Sequence, residues 1–78
     1  RFEREARMVS ALNHPNICTL FDIGRENQND YIVMELLEGE TLADRLARGR
    51  LTVGQAMQIG AQICGALGAA HRRGIVHR

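Results

Sequence analysis

The stretch from Thr52 to Arg73 constrains this chain more than any other. It reads as one long helix, opened by Thr52 with Gln55 at capping-box spacing and closed by Arg72, Arg73 and then Gly74. Ile59, Ile63, Ala66, Leu67 and Ala70 form an apolar face, while Gly60, Ala61, Cys64, Gly65 and Gly68 leave few polar positions elsewhere. A helix apolar nearly all round is a buried one. Each interior glycine costs about 1 kcal/mol relative to alanine, so three of them point to close packing by other elements. A chain of 78 residues, 45% hydrophobic but only 4% aromatic, has little with which to provide that cover. Arg1 opens the chain, and Arg78 closes it shortly after an apolar Ile75-Val76. Both ends read as cut, and a fragment is the expectation.

Charge excludes several function classes. Ten basic residues, all arginine, oppose nine acids for a net +1, and the arginines form no block. That is no footprint for nucleic acid or an anionic membrane. Cys18 and Cys64 make neither a disulfide framework nor a zinc spacing, and two reduced thiols in a cytoplasmic protein are expected. No signal peptide opens the chain and no apolar run is long enough to span a bilayer.

Upstream of the long helix the pattern changes. Residues 1–13 read as an amphipathic helix with Phe2, Met8, Val9 and Leu12 on one face. Asn13-His14-Pro15-Asn16 stops it, because Pro15 disfavours a helical conformation at His14. Residues 17–24 and 31–37 read as strands joined by a polar turn from Gly24 to Asp30, an antiparallel hairpin whose outer edges lack partners. Glu38-Gly39-Glu40 marks a break. Thr41 with Asp44 has capping-box spacing and opens a short helix with Leu42 and Leu46 on one side and Gly49 as its stop. The fold class is α+β.

Few residues carry chemistry by themselves. Glu5 falls in the middle of the first helix's apolar face. It is either a buried carboxylate that needs a partner or a partly solvated acid near a positive helix end. The chain holds no lysine, so a lysine partner lies outside it. Glu35 ends an apolar strand and leads into a glycine-containing connector. Its backbone groups are either free to bind a planar ligand or simply exposed at a strand end. His14, His71 and His77 read as structural, with no metal-ligand spacing among them. There is no phosphate-cradling glycine loop and no nucleophile elbow.

The segments RFEREARMVSALNHPNI (1–17), YIVMELLEGETLADRL (31–46) and AHRRGIVHR (70–78), in this order and separation, resemble a protein kinase catalytic domain. The resemblance is to the bacterial eukaryotic-like serine/threonine type and covers essentially the whole chain. It implies that residues 1–37 are part of the N-lobe (one helix and two strands). Residues 38–78 are then the hinge and part of the C-lobe, as far as the start of the catalytic loop at His77-Arg78. It implies that Glu5 is the glutamate that pairs with the family's phosphate-holding lysine. Met34 then matches the gatekeeper behind the adenine pocket. Glu35 and Leu37 match the hinge positions whose backbone carbonyl and N–H bind the adenine edge, and Asp44 lies where the family approaches ribose or substrate. Val9, Leu20 and His77 match a packed column between the lobes. Arg78 matches the H-R-D arginine, which in many members meets a phosphorylated activation loop.

The implied parent is an ATP- and Mg²⁺-dependent kinase acting on serine and threonine hydroxyls of proteins. The implied location is cytoplasmic, with no nucleic acid partner and any membrane anchor outside this segment. The glycine-rich loop, the strand lysine, the catalytic aspartate, the metal-binding asparagine and D-F-G are all absent from these residues, so no metal ligand is expected here and the segment alone is expected to be inactive. The alternative within the same fold is a pseudokinase or protein-interaction module. Asp after Arg78 supports catalysis, and Asn or Gly there argues against it. A helical DNA-binding domain is disfavoured because the 53–73 helix is too apolar to be a recognition helix.

Overall fold

The computed structural model describes residues 2–77, in the order α1 (Phe2–Ser10), β1 (Leu20–Glu26), β2 (Asn29–Met34), α2 (Leu42–Ala47) and α3 (Val53–Arg72). This is the expected α+β arrangement, with several boundaries moved.

α1 ends three residues before the sequence pattern does. The Ser10 hydroxyl donates to the Arg7 carbonyl at 2.8 Å, and the Leu12 N–H closes a final turn on Val9 O at 2.9 Å. The chain then reverses around Pro15: Ile17 N–H donates to His14 O at 3.1 Å, and Asn16 N–H donates to His14 Nδ1 at 3.0 Å. The imidazole thus satisfies a donor that the proline-bearing turn leaves without a ladder partner.

The hairpin corrects the expected turn. β1 continues through Gly24 to Glu26, and only Asn27 and Gln28 form the loop, with φ of +51° and +68°. Two successive left-handed residues give the turn whose twist matches the strands it joins. Gly24 belongs to the ladder opposite Tyr31, and a methyl group there would come within 2.2 Å of the tyrosine hydroxyl. The glycine is a seat for the ring rather than a turn residue. Arg25 faces Asp30 with 3.6 Å between Nε and Oδ1. Nearer the start of β1, the register shifts between Leu20 and Asp22, so that Phe21 is the extra residue of a bulge.

α1 packs on β1, and the buried residues are Ala6, Leu12 and Leu20. α3 has no buried residue among those described, in keeping with the expectation that this chain has little with which to cover it. Ala66, Leu67 and Ala70 are half-covered, whereas Val53 and Met57 are 77% and 70% exposed. The helix is built by its ends rather than by its neighbours. Thr52 Oγ1 accepts from Gln55 N–H at 3.1 Å while Gln55 Oε1 accepts from Thr52 N–H at 3.0 Å, completing the box. At the other end Gly74, with φ of +77°, donates its N–H to His71 O at 2.9 Å, and Ile75 N–H reaches back to Ala70 O at 2.9 Å. That pair of bonds is a Schellman closure. α2 has a simpler start than expected. Thr41 Oγ1 accepts from Asp44 N–H at 3.0 Å, but the aspartate side chain returns no bond to Thr41 N–H. Asp is one methylene shorter than the Glu that a full box uses.

Candidate functional site

Two regions place the residues singled out in the sequence. The first is the exit of β2. The strand ends at Met34, and residues 35–38 have no regular structure. Pairing extends one residue further, because Glu35 N–H donates to Thr19 O at 2.8 Å. The carboxylate of Glu35 folds back to accept Thr19 N–H on Oε1 at 3.1 Å, and the Cys18 thiol donates to Glu35 O at 3.5 Å. Beyond this clasp, Leu36 and Leu37 are 86% and 66% exposed. Neither backbone polar group of Leu37 has a partner among the described residues. Pro15, Asn16, Ile17, Cys18, Glu35 and Leu37 line a shallow hollow of about 250 Å³ at this exit. A carbonyl and an N–H two residues apart, flanked by apolar side chains, suit a flat heterocycle that presents a donor beside an acceptor.

The second region lies between α1 and the chain that follows α3. Arg4, Glu5, Met8 and Val9 from the helix, with Gly74 to His77 from the tail, line a hollow of about 680 Å³. Glu5 and His77 therefore border one space, although they are far apart in sequence. The Schellman turn at Gly74 brings this about by folding Ile75 back against the end of α3 and sending Val76 and His77 towards α1. Glu5 is exposed. Of the two alternatives left open by the sequence, the solvated carboxylate is the one observed: the residue shares the apolar face of the wheel, but its turn of α1 overhangs the hollow instead of β1.

Met34 is 48% exposed and Asp44 is exposed in the first turn of α2; neither lines these two hollows. Arg78 lies outside the described residues. Among the described residues, no three His, Cys, Asp or Glu side chains come together as a metal cage, and no helix is long and apolar enough to cross a membrane. Sequence reasoning missed Cys18 and Thr19 as neighbours of Glu35. No signal in the sequence marks them, because the pairing depends on the register: Leu20 opposite Met34 puts Thr19 opposite Glu35 one step out.

The family model for the protein kinase domain matches residues 1–78. The chain is 47% identical to serine/threonine-protein kinase PrkC of Bacillus subtilis over 79 residues, covering all of this chain and 12% of that protein. It is 41% identical to serine/threonine-protein kinase pkn2 of Myxococcus xanthus over 78 residues, covering all of this chain and 9% of that protein. With serine/threonine-protein kinase PknB of Mycobacterium leprae the identity is 42% over 83 residues, again across the whole chain and 13% of the relative. The chain thus spans about a tenth of the length of these curated relatives. End-to-end agreement at this identity, on an α+β architecture with the expected order of elements, leads to one conclusion: the chain belongs to the protein kinase domain family.

Proposed function

We propose that this chain is the hinge and adjoining parts of both lobes of an ATP- and Mg²⁺-dependent kinase that transfers the γ-phosphate to serine and threonine hydroxyls of proteins. Residues 1–37 contribute to the N-lobe and 38–78 to the hinge and C-lobe. The observation that carries this reading is the exit of β2, where the strand gives way at Glu35 to a segment whose Leu37 backbone groups have no partner among the described residues and lie beside exposed apolar side chains. Adenine is a flat base with an amino donor next to a ring acceptor, and such an exit fits it.

In this reading Met34 backs the base, the Glu35 carbonyl and Leu37 N–H meet its edge, and Asp44 serves the ribose or substrate side. Glu5 pairs with a lysine that this chain does not contain, and His77-Arg78 begins the loop that carries the catalytic base. Bound ATP supplies the phosphoryl group. The Mg²⁺ ligands lie elsewhere in the parent, so no metal step is assigned to these residues. Phosphoryl transfer rests on positioning and charge neutralisation, and a segment without base, phosphate lysine or metal ligands performs none by itself.

The test is a phosphotransfer assay on the full-length parent with γ-labelled ATP, Mg²⁺ and casein, followed by phosphoamino-acid analysis. Label on serine and threonine is expected from the parent, with none from the isolated 78 residues. Glu5→Gln in the parent should slow transfer about tenfold or more, because it removes the charge that orients the phosphate lysine. A parent that binds ATP yet transfers nothing is the pseudokinase alternative. A parent that binds no ATP ends the reading.

A further inference from the structure

We infer that the Glu35 carboxylate is a positioning device: it takes over the last rung of the β1–β2 ladder and so releases the backbone carbonyl of the same residue for an adenine amino group. The inference rests on the functional reading above and adds to it a residue that acts through its side chain.

The argument starts from the register. Leu20 faces Met34, so the next pair outward is Thr19 with Glu35. In an antiparallel sheet a hydrogen-bonded pair exchanges two bonds, each residue giving its N–H to the other's carbonyl. Here only half of that exchange is made through the backbone. Glu35 N–H donates to Thr19 O at 2.8 Å, as a regular rung requires. The returning Thr19 N–H goes instead to Glu35 Oε1, at 3.1 Å. The carboxylate has replaced the carbonyl as the acceptor.

Two consequences follow for the carbonyl. It is no longer committed to the sheet, and its one hydrogen bond among the described residues is from the Cys18 thiol at 3.5 Å. A thiol is a weak donor, and a carbonyl has two lone pairs, so the contact leaves room for an N–H from outside. An ionised carboxylate is also a stronger acceptor than an amide carbonyl, so Thr19 N–H has no reason to return to the backbone. The residue terminates the ladder and fixes which way its own carbonyl faces. An apolar side chain at this position would leave Thr19 N–H without an acceptor. The backbone carbonyl would then turn inward to close the rung, because an unpaired N–H costs more than the bond it replaces.

The test compares ATP with purine riboside 5′-triphosphate, which lacks the 6-amino group, by titration calorimetry on the full-length parent. Glu35→Leu should weaken ATP binding about tenfold, the size of one hydrogen bond, and should change binding of the purine analogue less than twofold. Glu35→Gln keeps an Oε1 acceptor and should recover most of the ATP affinity. Thermal melting of each variant separates a binding effect from misfolding. Equal losses for both nucleotides, unchanged ATP binding in Glu35→Leu, or failure of Glu35→Gln to rescue would overturn the inference while leaving the hinge reading intact. A wild-type parent that binds neither nucleotide overturns both.

Discussion

Asn27 and Gln28 hold the hairpin in a conformation that ordinary side chains resist. A left-handed backbone costs an L-residue about 1–2 kcal/mol, less for Asn, whose side chain bonds locally. Gln28, at φ +68°, has no such relief. Gln28→Gly should therefore stabilise the protein by about 0.5–1 kcal/mol, the gain being reduced by glycine's larger entropy loss. Urea unfolding of the full-length parent would show it as a higher midpoint at unchanged slope. This residue also explains where sequence reading failed. The strongest hairpin cue is a glycine in the loop, and the glycine present, Gly24, serves Tyr31 across the ladder instead. Glu35 failed to disclose its role for a different reason: its bond to Thr19 spans 16 positions and exists only once the register is known. Glu5 was legible as an anomaly, but the sequence left open whether it is buried or solvated, because a helical wheel says which residues share a face and not what lies opposite them.

Among the elements, those closed by local bonds were legible to within a residue or two, and those closed by distant ones were not. α3 was expected over 53–73 and is observed over Val53–Arg72, since both ends are encoded within a few positions by Thr52, Gln55 and Gly74. α2 was equally plain. β1 moved downstream by two to three residues because its limits depend on β2 and on a bulge. The two helix starts also differ in kind, and that difference is measurable. Thr41 satisfies one backbone donor, whereas Thr52 and Gln55 satisfy two reciprocally. In the parent Thr41→Ala should cost about 1 kcal/mol, and Thr52→Ala combined with Gln55→Ala, which removes both halves of the box, about 1.5 kcal/mol. Equal losses by chemical denaturation would mean that the Gln55 half of the box contributes nothing.

At the scale of the whole molecule the chain is open. Its accessible surface is 6653 Å², against roughly 4,700 Å² for a compact protein of its mass. Its radius of gyration is 15.1 Å, where a compact chain of this length has about 11.5 Å. The surplus includes much of α3, so the sequence was right that this helix needs cover, and these 78 residues do not supply it. The isolated segment should bind the dye ANS and melt without a cooperative transition. A sharp, reversible melt of a monomer by calorimetry would contradict that. The length of α3 has a separate consequence for what the gene tolerates. Its 20 residues form a rod about 30 Å long, and the Schellman closure fixes the direction in which the chain leaves it. Inserting or deleting one codon inside the rod would swing that exit by about 100° and carry His77 away from α1. The same change in the link at residues 48–51 would only lengthen or shorten a connector. Coding-length variation should therefore be selected against within α3 and accepted just ahead of it.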